Sequence, residues 1–247
     1  PVPLPRVVDG PLTEPRFSSF VSLVPAPLAY GMTPGEMARW LNRRLRLGVD
    51  LKVARMAGYS RQGWPGRDWP PWVPPSPAIR SWECGRCFPV TVCFEGISSV
   101  NHARRTRLAF QAIGAPWIRG AAVAARLSEL QLPGVQFRAR RYNPNPGEKP
   151  AHLLDGMLMT VTDPDIFRPV LTGISMVWAL QELYGRDRVW AKETSRPEFF
   201  DKLLGTDSVR RALLDGEPPL RIAARWQPAL RTFATTRERV LLYESSV

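Results

Sequence analysis

Five prolines fall within the nine positions Trp69-Pro70-Pro71-Trp72-Val73-Pro74-Pro75-Ser76-Pro77. Each ring fixes φ at about −65° and removes a backbone donor, so this stretch joins neither a helix interior nor a central strand. The residues before the prolines are held extended, which fixes the two indole rings where they stand. A chain with this block must carry a long, stiff, aromatic loop, and loops of that kind in compact proteins are usually functional. Downstream, the apolar run Pro89-Val90-Thr91-Val92-Cys93-Phe94 reads as a strand and ends on Glu95-Gly96, and Gly114-Ala115-Pro116-Trp117-Ile118 follows. A carboxylate at a strand end, beside a glycine that lets a ligand approach the backbone, marks a place for chemistry. Sugars stack their C–H faces on aromatic rings while their hydroxyls need charged acceptors, so a carbohydrate site is expected here.

At 247 residues, 44% of them hydrophobic, the chain can bury a core as one large domain or two small ones. No apolar run approaches the ~18–20 residues of a membrane span. The start, Pro1-Val2-Pro3-Leu4-Pro5-Arg6, has neither an initiating Met nor a signal-peptide pattern and reads as a cut end. The net charge of +12 rests almost wholly on arginine, the lysines being Lys52, Lys149, Lys192 and Lys202. Basic clusters at Arg43-Arg44-Leu45-Arg46, Arg104-Arg105-Thr106-Arg107 and Arg138-Ala139-Arg140-Arg141 sit in no recognisable nucleic-acid motif, so no specific nucleic-acid partner is expected. An acidic cell-wall glycan suits the charge equally well.

Cys84-Gly85-Arg86-Cys87, with Cys93 and His102, makes a Cys₃His set that zinc could use, and a zinc or nucleic-acid module is one alternative reading. Against it, no second pair is present, and a strand cysteine such as Cys93 is usually a small core hydrophobe. No metal or other cofactor is assigned.

Along the chain, Thr33-Pro34-Gly35-Glu36 reads as a capping box opening a helix, with Met37, Trp40, Leu41 and Leu45 inward and Arg39, Arg43 and Arg46 outward. Residues 49–56 alternate as a strand, giving a helix-strand unit with no earlier strand to complete a crossover. Helices are expected at 104–113 and 121–130, strands at 135–142 and 156–162. Asp163 is expected to cap a helical region in which Val170, Ile174, Val177, Leu180 and Leu183 share a face. The tail reads as short helices and a last strand over 239–243.

These blocks together resemble the exo-β-N-acetylmuramidases, a bacterial glycoside hydrolase family. Matching pieces run in order through Glu14 to Val21, Gly31-Met32-Thr33-Pro34-Gly35-Glu36, Trp72-Val73-Pro74-Pro75-Ser76-Pro77, Glu95-Gly96 and Gly114-Ala115-Pro116-Trp117-Ile118. They continue through Val161-Thr162-Asp163, Phe167-Arg168-Pro169-Val170-Leu171-Thr172-Gly173, Leu204-Gly205-Thr206 and Leu241-Leu242-Tyr243. The resemblance implies an α/β plus α+β chain: residues 1–118 as the C-terminal remnant of a Rossmann-like domain, and 119–247 as a smaller α+β domain. It also implies removal of N-acetylmuramic acid from non-reducing ends of peptidoglycan fragments, at the cell envelope or outside the cell. The front of the Rossmann-like domain, where the family carries a further acidic residue, is expected to be missing.

Where the family shows Glu-Gly-Thr-Asn and then Ser-Glu-Gly-Arg-Gly-Thr, this chain reads Glu95-Gly96-Ile97-Ser98-Ser99-Val100-Asn101-His102-Ala103-Arg104-Arg105-Thr106. Arg104 and Thr106 keep their places when anchored from the right, and the second glutamate becomes His102; anchored from the left it becomes Asn101. Glycoside hydrolysis generally uses two carboxyl groups roughly 5 to 9.5 Å apart. Glu95 is either one of them, a holder of a sugar hydroxyl, or a strand-end acid paired with backbone or arginine. His102 is a candidate acid or base, or else a solvated loop histidine. Arg104 is a candidate grip for the lactyl carboxylate of muramic acid, or a surface arginine. Trp72 and Trp117 are candidate sugar platforms, with Trp117 alternatively in the core, and Ser76 and Thr106 join the substrate-binding set by resemblance. A non-catalytic muropeptide-binding descendant is the remaining alternative.

Overall fold

The structure, a computed structural model, describes residues 3–61, 71–148 and 152–243. Trp69 and Pro70 of the proline block lie outside the described residues. Strands β1 (Asp9–Leu12) and β2 (Pro27–Ala29) pair antiparallel. Helix α1 (Pro34–Arg44) opens on the expected capping box: Thr33 Oγ1 accepts from the Glu36 amide at 3.3 Å, and Glu36 Oε2 accepts from the Thr33 amide at 2.8 Å. Trp40 is buried and Met37 and Leu41 are half-buried, as the periodicity requires, but Leu45 lies past the helix end and is exposed.

Residues 49–56 are not a paired strand. They run back along α1 with no strand partner among the described residues. Alternation specifies an extended backbone, but a ladder also needs a neighbouring edge.

The largest correction falls on residues 89–94. Helix α2 (Trp82–Thr91) starts at Ser81, whose hydroxyl accepts from the Cys84 amide at 3.2 Å, and it runs through Pro89; Val92–Gly96 continue it as a 3-10 turn. Glu95 therefore ends a helical segment, not a strand. A short apolar run buried on all sides has no periodicity to separate the two, and the Ser81 cap upstream is the local signal that favours the helix.

Strands β3 (Ala112–Gly114), β4 (Val135–Ala139) and β5 (Gly156–Val161) form an antiparallel sheet in the order β3-β5-β4, with α3 (Gly120–Glu129) packed on it. The helix expected at 104–113 is replaced by tight turns before β3. Ala103 and Phe110 both take left-handed backbone, φ 56° and 62°, which breaks helical continuation and turns the Phe110 ring into the core.

Helix α4 (Pro169–Tyr184) is the central element. Every residue from Pro169 to Gln181 is buried, so the expected single apolar face is instead a helix enclosed all round, while Leu183 is exposed. Its tightest neighbour is α2: a Cβ on Gly173 would lie 2.2 Å from the Val90 carbonyl oxygen. Asp163 does not cap it. That side chain accepts from the Asp165 amide in a local turn, whereas Asp9 of β1 takes the Val170 and Leu171 amides at 2.9 and 3.1 Å.

Short helices α5 (Arg186–Val189), α6 (Pro197–Leu204) and α7 (Ser208–Leu214) lead to α8 (Pro219–Glu238), longer than the tail pattern indicated. Residues 239–243 form no strand. Leu242 is held by its amide donating to Glu36 Oε1 at 2.8 Å, a side-chain tether in place of a ladder. The fold is thus a mixed helix-and-sheet α/β structure, with two small sheets among the described residues. Residues 1–118 and 119–247 share the β3–β5 pairing and one apolar core, with Phe94 and Ile113 beside Met157 and Leu180.

Candidate functional site

Glu95 is placed by what surrounds its turn. Phe94 before it is fully buried, and Gly96 after it presses on α6, where a Cβ would come 2.7 Å from that of Phe200. The following loop is pinned at several points. Ser98 donates its amide to the Thr194 carbonyl at 2.7 Å, Asn101 exchanges two backbone bonds with Gly114, and the Tyr142 hydroxyl donates to the Asn101 carbonyl at 2.9 Å. The Asn101 side chain in turn accepts from the Ala103 amide at 2.8 Å. A loop tied this often holds its side chains in fixed positions.

The result is a cluster of Glu95, His102 and Arg104. Arg104 Nη1 donates to Glu95 Oε1 at 3.0 Å, and His102 Nε2 stands 3.9 Å from the same oxygen, beyond hydrogen-bond length. Glu95 Oε2 has no protein hydrogen bond among the described residues. His102 is largely buried beside the Phe110 ring, and its Nε2 has no hydrogen-bond partner among the described residues. Burial, with the Arg104 charge adding to it, pushes the imidazole down to about 4, so it is neutral at neutral pH. The Arg104 side chain is 54% exposed, and an ion pair this open contributes about 1 kcal/mol or less. Chemically the cluster offers one carboxyl oxygen held by a cation and a second open to a donor such as a sugar hydroxyl.

Arg196 is the residue that sequence reasoning missed. Its guanidinium donates to the Glu95 carbonyl at 2.7 Å and its amide to that of Gly96 at 2.8 Å. It stands a hundred positions downstream, and no local pattern could have placed it there.

Trp72 and Ser76 are not brought to this cluster. They lie against the opposite, N-terminal end of α2, where Trp72 Nε1 donates to the Ile79 carbonyl at 2.8 Å and its ring meets Trp82 edge-on at 4.5 Å. Ser76 Oγ accepts from the Ala78 amide at 3.3 Å in a local turn. Trp117 is half-buried and edge-on to Tyr184 at 5.3 Å, packed on the main core. Thr106 is buried, and its hydroxyl accepts from the Leu108 amide at 2.9 Å.

The geometry does not favour the zinc alternative. Cys84, Cys87 and Cys93 are unpaired and buried along α2 and its 3-10 continuation, and no group of three metal-ligating side chains converges among the described residues. Burial raises all three thiols, Cys93 to about 12, which opposes the thiolate a zinc ion needs. Also among the described residues, no helix is long and apolar enough to cross a membrane.

A mixed α/β chain presenting one arginine-held carboxyl at a pinned loop is the class that fold and site define. Comparison with known proteins makes it particular. The family model described as exo-β-N-acetylmuramidase NamZ, C-terminal, matches residues 86–243, and the corresponding N-terminal model matches residues 1–83. The chain belongs to the NamZ family. It is 34% identical over 236 residues to the peptidoglycan β-N-acetylmuramidase NamZ of Bacillus subtilis (strain 168), a match covering 96% of this chain and 56% of that protein. The chain therefore spans a little over half the length of the curated relative it matches. Two solved DUF1343 family proteins from Bacteroides fragilis share the fold. One has a TM-score of 0.85 at 24% identity, covering 98% of this chain and 64% of its own; the other has 0.75 at 28%, covering 100% and 65%.

Proposed function

We propose that this chain is part of a peptidoglycan-directed glycoside hydrolase of the exo-β-N-acetylmuramidase type, removing N-acetylmuramic acid from the non-reducing ends of wall fragments. The observation that carries this reading is the match, along nearly the whole chain, to a relative named for that activity. In it, Glu95 is the carboxyl group at the scissile bond or on a sugar hydroxyl, and Arg104 grips the lactyl carboxylate. Trp72, Ser76 and Trp117 belong to a wider substrate surface, whereas Thr106, expected in the same set, is buried and shapes the loop beneath it. Because Trp72 and Ser76 stand at the far end of α2, that surface is an extended one, suited to a polymer fragment. Residues 1–118 are read as the late part of a Rossmann-like domain and 119–247 as a smaller α+β domain. Since the two share a sheet and a core, the division concerns ancestry and not independent folding. The expected site of action is the cell envelope or its outside.

A second reading is favoured by one feature of the cluster. Its other members are an arginine and a neutral histidine, whereas hydrolysis generally uses a pair of carboxyl groups. On that ground this chain binds muropeptides without turning them over. Release of the chromophore from a chromogenic N-acetylmuramoside separates the two. Turnover that Glu95→Gln abolishes supports the hydrolase. Saturable muropeptide binding without turnover, in a polypeptide including any upstream segment its gene encodes, replaces it with the binding reading.

A further inference from the structure

The Glu95 cluster makes no use of the basic run Arg43-Arg44-Leu45-Arg46, and the structure gives that run a setting of its own. Helix α1 meets the end of α8 where Trp40 Nε1 donates to Thr236 Oγ1 at 3.1 Å and the Trp40 ring tilts against Phe233 at 5.3 Å. Beside this contact is an open hollow of about 180 Å³, lined by Trp40, Arg43, Arg44, Thr236, Arg239 and Val240. Three arginines line it and no acidic residue does, among the described residues.

Basic side chains near helix C-termini ordinarily satisfy the last carbonyls and the negative end of the macrodipole. Arg39 and Arg43 are used in that way, donating to the Val240 and Arg239 carbonyls at 2.9 and 3.1 Å. Arg44 and Arg239 are not. Both are exposed, and among the described residues neither side chain makes a hydrogen bond or an ion pair. Glu238, next to Arg239 in the chain, pairs with neither of them. Arg43 gives one guanidinium nitrogen to a carbonyl, which leaves most of its five donors for another partner. Like charges around one hollow repel, and no carboxylate lining it offsets that among the described residues.

An anion with several oxygens offsets it. A carboxylate is saturated by a single arginine elsewhere in this fold, where Arg210 Nε and Nη2 donate to the two oxygens of Asp201 at 2.9 and 2.7 Å. Three guanidiniums instead suit a phosphate group, whose oxygens take donors from different sides. The size agrees, since about six waters of ~30 Å³ each would fill the hollow, room for a phosphate and the carbons flanking it. Arg46, exposed and two residues past the end of α1, carries the charge onward, as fits anions that recur along a chain. Nucleic acid fits less well, because Trp40 is only 4% exposed and the hollow has no aromatic face on which a base could stack. We propose that this hollow binds the phosphate groups of a base-free polymer of phosphate-linked polyol units. The proposal does not rest on the hydrolase reading, and its test reads binding, not turnover.

The test is calorimetric titration of the full chain with a glycerol-phosphate oligomer, beside single-stranded DNA and an oligogalacturonate of equal charge. The expected result is saturable binding of the glycerol-phosphate oligomer, tighter than either comparison. Arg44→Ala combined with Arg239→Ala should weaken it by about tenfold or more. Arg138→Ala combined with Arg141→Ala removes the same charge from another exposed basic cluster and should leave it nearly unchanged. In the unsubstituted chain, which depends on no variant folding, the oligomer should shield Arg44 and Arg239, but not Arg138, from an arginine-selective dicarbonyl read by mass spectrometry. Absence of saturable binding, equal weakening in the Arg138 and Arg141 control, or equal shielding of all three arginines overturns the proposal. DNA binding as tight as the oligomer replaces it with a nucleic-acid surface, and tighter oligogalacturonate binding replaces it with a carboxylate site.

Discussion

His102 holds its Nε2 3.9 Å from Glu95 Oε1, buried and without a hydrogen-bond partner among the described residues. Its folded-state pKa lies near 4, below the ordinary 6.5, because burial first and Arg104 second disfavour the imidazolium. The unfolded chain therefore takes up this proton at higher pH than the folded one, and stability falls as pH drops through the window from 6.5 to 4. Between pH 7 and pH 5 the loss from this residue is about 2 kcal/mol. Urea unfolding at the two pH values measures it, and His102→Gln, which does not titrate, should lose that part of the slope. An unchanged slope in the variant removes the assignment.

Glu95→Gln keeps the side-chain shape and an oxygen for Arg104 while removing the carboxyl group. Stability should change by less than about 1 kcal/mol, because the pair is open to solvent. Turnover of a muramoside should fall on the order of 10²-fold or more if the carboxyl group transfers a proton or stabilises charge. Arg104→Ala should act mainly on KM, as expected for a group binding a substrate carboxylate in ground and transition states alike. Equal activity of Glu95→Gln and the parent chain would remove Glu95 from the chemistry.

What was legible in the sequence was local. The Thr33-to-Glu36 capping box lies within one helical turn, so its residues alone specify the geometry found. Strands β4 and β5 and the helix α3 were likewise readable from short patterns. The Glu95-Gly96 step stands out in the sequence, but its setting reads there as a strand end, where the structure has a 3-10 turn. The run 89–94 is buried on every side, and its helical state is decided by packing against α4 as much as by Ser81. The left-handed backbone at Ala103 and Phe110, the reach of Arg196 and the tether of Leu242 to Glu36 depend on partners far along the chain. No window of a few residues contains them.

Asp9 should be among the costliest surface-to-core links to cut. It is fully buried at the N-terminus of α4, accepting from two backbone amides and from Arg168 Nη2 at 3.3 Å. Burial pushes its carboxyl up, with Arg168 and the two amides pulling against that shift. Asp9→Ala leaves those donors unsatisfied, for a loss of about 2 to 3 kcal/mol. Asp9→Asn, which keeps one acceptor oxygen, should cost less. Denaturant unfolding of the two variants gives the order, and equal costs would mean that the amides are satisfied without Asp9.

The three thiols should behave as core groups. With Cys84, Cys87 and Cys93 buried and their pKa values raised, a disulfide-exchange reagent at pH 8 should label the native protein slowly and all three sites rapidly in denaturant. Fast native labelling, or stoichiometric zinc in purified protein, would contradict the packing described for α2.

The buried ion network around Glu36 joins parts of the chain that are far apart in sequence. Arg61 donates to Glu36 Oε2, and both Arg61 and Arg237 donate to the carbonyls of Pro5 and Gly31. Burial raises Glu36, but the bonds from Arg61, Leu242 and Thr33 outweigh it and hold the carboxyl below its usual range. Removing one partner strands the others in a dry environment, so Glu36→Ala should destabilise by about 3 to 5 kcal/mol. Because Glu36 also holds the Leu242 amide, the same change should release the C-terminal segment. Amide exchange at residues 240–243 should rise in the variant, while exchange in α4 changes only as far as global stability does. A variant that loses stability while keeping Leu242 protected would show that the tail is held by its apolar contacts with α1 and α8, not by the carboxylate.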